Sequence, residues 1–140
     1  MATIKLKSFH PQQARMVIKH PATGETDFQT EDGETIQGIL MIAGYDSPEF
    51  VKAVELMEDA RLKNTKEWNM DLARKENRSL IAATIVDWED NGFFSESYTA
   101  EGADEFVRDP QYSWIVVQLA EFLEDKRNFF IVPPLNSATT

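Results

Sequence analysis

The chain has 140 residues, 42% of them hydrophobic and 11% aromatic, which suits one domain able to bury a core. A formal net charge of -10 argues against nucleic-acid binding through phosphates, and the lack of cysteine excludes disulfide and thiolate chemistry. No run of about 18 apolar residues occurs, so no transmembrane helix or membrane partner is expected. The opening MATIKLKSFHPQQ lacks the apolar stretch of a secretory signal, which with the missing cysteines fits a cytosolic chain.

Charge is distributed unevenly. Residues 1–24 carry Lys5, Lys7, Arg15 and Lys19 and no acid, whereas all 24 acids lie beyond them. Such a basic arm is either a solvated tail or a self-association element that docks on the acidic body of a neighbour. Pro11 ends any regular element in residues 1–14. Met16 to His20 then reads as a short strand, Pro21-Ala22-Thr23-Gly24 as a turn, and residues 25–30 as a return strand. After a second turn at Glu31-Asp32-Gly33, Glu34 to Ala43 is the strongest strand candidate. It sets Ile36, Leu40 and Ile42 on one face.

The period changes at Asp46-Ser47-Pro48-Glu49. Ser47 is placed to cap a helix, Pro48 suits its first position, and Glu49 suits its positive end. Phe50, Val51, Val54, Met57 and Leu62 give that helix an apolar stripe. Arg61 to Asp71 reads as its weak end or as a linker. Leu72, Ala73, Leu80, Ile81, Thr84, Ile85 and Trp88 predict a second helix that stops at Asp90-Asn91-Gly92, where Gly92 can turn the chain left-handed. Thr99 opens a short third helix with Phe106 and Val107 inward. Asp109-Pro110 starts a fourth over residues 110–127, with Trp114, Ile115, Leu119, Phe122 and Leu123 on its apolar face.

The resulting class is α+β, a small N-terminal antiparallel sheet or hairpin over about residues 15–45 followed by a bundle of about four helices. Three parts are expected. Residues 1–45 form a β region with its basic arm, 46–128 a helical body, and 129–140 an apolar tail. In that tail Phe129, Phe130, Ile131, Val132 and Leu135 are candidates for protein binding, whether on the chain's own core, a neighbouring copy or a client.

The stretch DWEDNGFFSE, residues 87–96, is the best candidate for chemistry. Aligned with a calcium loop from Asp87, it has Glu89, Asn91 and Gly92 at the third, fifth and sixth places. Tyr98 occupies the twelfth, where a bidentate carboxylate is required. Asp87, Glu89, Asp90 and Glu96 lie in a solvated turn with no cation close in sequence, and the only histidines are His10 and His20. His20, before Pro21, suits a solvated or capping role. No phosphate-loop, zinc-helix or nucleophile-elbow motif occurs. Neither a catalytic residue, a metal site nor a cofactor is expected, and Trp88 and Gly92 are read as anchor and turn.

Three stretches together resemble the tail assembly chaperones of long-tailed bacteriophages. They are Val17 to Gly24 leading into Glu25 (the HPATGE hairpin), Ile42 to Phe50 (IAGYDSPEF), and Leu80 to Phe130 with IVDWEDNGFFS and TAEGADEFVRDPQYSWIVVQLAEFLEDKRNFF. The sequence departs from the family pattern in the extra residues Glu96-Ser97-Tyr98, and in Phe93 where that pattern has proline. The resemblance implies a non-enzymatic, self-associating protein of the bacterial host cytoplasm. Such a protein binds the long helical tape-measure protein, keeps it soluble while the tail assembles, and is absent from the finished virion. Members of the family often have a longer, frameshifted form. The alternative is a structural tail component, a terminator or tube-associated protein, that stays in the particle.

Overall fold

A computed structural model describes residues 11–63 and 69–130. Lys5, Lys7, Ile131, Val132 and Leu135 lie outside these residues. The strands are β1 (Ala14–Val17), β2 (Phe28–Gln29), β3 (Thr35–Ile36), β4 (Ile39–Ile42) and β5 (Ile85–Trp88). The helices are α1 (Pro48–Lys63), α2 (Met70–Thr84), α3 (Ala100–Arg108) and α4 (Ser113–Glu124). The mixed architecture matches the expected class of a small antiparallel sheet with four helices.

The strand pairing differs from a simple N-terminal hairpin. His20 Nδ1 accepts from the N–H groups of Ala22 and Thr23 at 3.1 and 3.3 Å, and Gly24 takes a φ of +73°, so the expected turn forms. The chain that returns from it does not pair with β1. Instead β2 pairs with β3, while β1 pairs antiparallel with β4, Met16 opposite Leu40. The long strand expected over residues 34–43 is therefore two strands, divided at Gln37-Gly38. A side chain at Gly38 would stand 2.7 Å from the Phe93 ring and 2.9 Å from Ile18, so the break lies where other residues cross closely.

The larger correction concerns Ile85 to Trp88. These residues do not continue the second helix. They form β5, antiparallel to β4 with Leu40 opposite Trp88, giving the sheet order β1-β4-β5. Two causes favour the strand. Thr84, Ile85 and Val86 are three β-branched residues in a row, which crowd a helix and suit a pleat. The free side of β4 also needs partners, and Ala43 N–H finds Thr84 O at 2.7 Å while Glu89 N–H finds Ile39 O at 3.0 Å. The buried Thr84 hydroxyl donates to Ile81 O at 2.6 Å. Trp88 is thus an anchor on a strand.

One core joins all parts. Ile18, Leu40 and Ile42 from the sheet meet Ile85 and Trp88 of β5, Phe106 and Val107 of α3, and Ile115, Leu119 and Leu123 of α4. Each fully buried Leu or Ile contributes roughly 1.5–3 kcal/mol. The boundary expected at residue 46 therefore does not separate two cores, because β5, from the helical part, completes the sheet. At the outer edge of β1, the Gln118 side chain of α4 accepts from Lys19 N–H at 2.8 Å and donates to Lys19 O at 2.7 Å.

Local caps follow the sequence closely. Ser47 Oγ accepts from Phe50 N–H at 3.2 Å, and Thr99 Oγ1 accepts from Gly102 N–H at 2.9 Å. Asn69, a cap not anticipated, accepts from Leu72 N–H at 2.8 Å. Asp109 accepts from Gln111 N–H at 3.1 Å, but the element it caps is a 3-10 turn over Pro110–Tyr112, and the α-helix proper begins at Ser113. That helix ends at Glu124, and Lys126–Asn128 form a second 3-10 turn, so the single helix expected over 110–127 is shorter at both ends. Ser47 is 4% exposed, so Ser47→Ala should lower stability by about 1 kcal/mol, read as a lower urea midpoint with an unchanged slope.

Candidate protein-binding site

The acidic stretch forms a tied turn. Asp87 accepts from the Trp88 N–H at 2.9 Å, and Asn91 Oδ1 accepts from Phe93 N–H at 3.1 Å. Asn91 Nδ2 reaches across to Gln37 O at 2.7 Å, and Ser97 donates to Asp90 at 2.8 Å. Gly92 has a φ of +96°, the left-handed turn its position predicts. Arg15, distant in sequence, comes within 3.8 Å of Glu89 across the sheet, and both side chains are about half exposed. Among the described residues no group of three or more His, Cys, Asp or Glu side chains is arranged to hold a metal.

Behind the turn lies an aromatic cluster. Trp88 stacks on Phe94 with ring centroids 4.4 Å apart, meets Tyr98 edge-on at 5.2 Å, and donates its indole N–H to Glu96 O at 3.0 Å. Phe93 packs edge-on against Phe28 of β2, and Phe28 lies 6.3 Å from Trp114. Trp114 is half-buried there, at the start of α4. The Tyr98 hydroxyl donates to Ile85 O at 2.7 Å. Burial pushes its phenol pKa up, with Asp87 and Glu101 adding to the shift. Tyr45 is raised by burial and then by Glu124. Both shifts move the phenols away from neutral pH and from acid–base work.

The tail candidates divide. Phe129 is 3% exposed and folds back onto its own core, edge-on to Phe122 at 5.5 Å, and its carbonyl accepts from Gln12 N–H at 2.7 Å. A side chain at Gly44 would stand 2.9 Å from its ring. Phe129 is therefore a core residue and not a free contact for a partner, and Phe130 beside it is partly buried against the same core. The turn is set by Asp125, whose carboxylate is held below its ordinary range by hydrogen bonds from the Arg127 side chain and backbone. Of the basic arm, Arg15 lies in β1 and Lys19 at its end, both exposed.

Sequence patterning placed an apolar stripe on α1 but did not show how open it is. Helix α1 has no buried residue. Its stripe of Phe50, Ala53, Val54 and Met57 is only half-buried, and Val51, Leu56 and Leu62 are exposed at 47%, 61% and 84%. Met70, at the start of α2, is 65% exposed. Arg61 pairs with Glu76 across the two helices, and Asp46 with Lys126 lies at the foot of α1. Together α1 and α2 form a helical hairpin whose apolar residues exceed what its own packing covers. Ser79 and Arg108 bind α2 to α3, with Arg108 also on Asp104 at 3.1 Å.

No helix among the described residues is long and apolar enough to cross a membrane. No protein-family model, curated protein or solved structure matches the chain.

Proposed function

We propose that the protein is a phage tail assembly chaperone that covers apolar helical segments of a tape-measure protein and keeps them soluble, without catalysis. The three sequence stretches motivate the family. The observation that carries the mechanism is α1, a sixteen-residue helix with no buried residue that leaves Val51, Leu56 and Leu62 open to solvent. A client helix laid along the α1–α2 hairpin would add a third helix and cover that stripe, the mode by which amphipathic helices dock in apolar grooves. In this reading the protein acts in the bacterial cytoplasm and leaves before the virion is complete. Recovery of the chain from purified particles would favour the retained tail component instead.

Co-expression with the tape-measure protein encoded by the same phage is the direct test. The soluble yield of the client should rise with the chaperone. Leu56→Asp combined with Leu62→Asp should weaken binding by about tenfold or more, since loss of one anchor's ~1.4 kcal/mol is already tenfold. Val117→Asp on α4, 57% exposed and away from the hairpin, should leave the yield unchanged. A client equally soluble without the chaperone would refute the proposal.

A further inference from the structure

A second surface stands apart from the α1–α2 hairpin. Between the acidic turn and the start of α4 lies a groove of about 450 Å³. Trp88, Phe93, Phe94, Phe106, Tyr112 and Trp114 line it, and Glu96, Glu105 and Asp109 supply its carboxylates. No lysine or arginine is among its lining residues, and the nearest basic side chain in sequence, Arg108, is turned away onto Ser79 and Asp104. Asp109 is occupied with Gln111, whereas Glu96 and Glu105 are exposed and make no ion pair among the described residues. An aromatic floor bordered by open carboxylates suits a lysine: the ring faces attract the ammonium and the apolar surface covers its aliphatic stem.

We infer that this groove receives residues 1–10 of a second copy, MATIKLKSFH, and joins copies head to tail. The charge match is the first argument. This segment contains Lys5 and Lys7, no acid, and the apolar residues Ile4, Leu6 and Phe9. The second argument is where the described chain begins. Gln12 is bonded to Phe129, beyond the C-terminal end of α4, and β1 runs from there to Lys19 beside Gln118. Trp114 and the groove lie further on, past the other end of β1, on the side where Phe93 approaches Gly38 and Ile18. The arm therefore leaves from one pole of the molecule and the groove opens near the other. Reaching its own groove would require the segment to double back along α4, about 18 Å of helix, whereas a copy stacked in the same orientation meets it without reversal. Like faces do not meet in such a contact, so association continues into rings or spirals. It needs no client, so its test stands apart from that of the chaperone proposal.

The test is sedimentation velocity of the purified full chain, at about 0.05 M and about 0.5 M salt. Wild type should associate with rising concentration, and less so at high salt. Lys5→Glu with Lys7→Glu, and separately Glu96→Lys with Glu105→Lys, should each raise the apparent dissociation constant by about tenfold or more. Mixing the two variants should restore association, because each arm then meets a groove of opposite charge. Circular dichroism checks folding, and Glu96→Gln with Glu105→Gln serves if the reversed groove unfolds. A monomeric wild type, reversed variants that associate like wild type, or a mixture that stays apart would each overturn the inference. Loss of association on deleting residues 131–140, with the charge variants unaffected, would assign the groove to the other tail and overturn it equally.

Discussion

Replacing Trp88 with alanine should destabilise the protein by about 3–5 kcal/mol, a large part of what a domain of this size possesses. The indole is 7% exposed and belongs to the core cluster. It touches Phe94, Tyr98 and Phe106, so its removal opens a cavity shared by the turn and α3. Its N–H also ties Glu96 O, which would lose that partner. Chemical denaturation followed by circular dichroism gives the value. Trp88→Phe should recover roughly half of the loss, because it keeps ring packing and forfeits only the hydrogen bond and part of the volume. A change below about 1 kcal/mol for the alanine variant would contradict the packing described for β5.

Phe129→Ala should cost a comparable amount, about 3–5 kcal/mol. The ring is packed between Gly44 and Phe122 and closes the pole where β4 gives way to α1. The measurement is again the shift in unfolding midpoint. Its value lies in separating two roles for the C-terminal segment. A truncation starting at residue 129 removes a core ring and would report unfolding, whereas one starting at residue 131 leaves that ring in place. Equal stability of the two truncated chains would show that Phe129 does not hold the core.

Local features of the fold were legible in the sequence because they depend on a few adjacent residues. The Ser47-Pro48 helix start, the Thr99 cap, and the turns at Gly24 and Gly92 each rest on one side chain or one positive φ. What could not be read was settled by distant partners. Ile81, Thr84, Ile85 and Trp88 fit a helical stripe, yet the unfilled side of β4 takes the last two into a strand. The pairing of β1 with β4 likewise skips the intervening β2 and β3. Phe129 follows the last helix and read as part of a tail, until a 3-10 turn at Lys126–Asn128 directs it inward.

The candidate binding surfaces were less legible than the fold. The helical stripe of α1 was found, but its lack of cover depends on tertiary packing, which leaves no residue of α1 buried. The aromatic groove draws on residues 88–97 and on 102–115, two segments whose proximity depends on how α3 folds across the sheet. Phe93 and Phe94, just after the Gly92 turn, are partly buried against the core. Nothing in their spacing announced that Tyr112 and Trp114 would face them.

The Gln118 amide does more than anchor β1. Its oxygen and nitrogen engage the outward N–H and C=O of Lys19 as an added strand would. The place where a foreign segment could begin to extend the sheet is thereby already occupied. At this margin the sheet is closed to zipping by a strand from another chain.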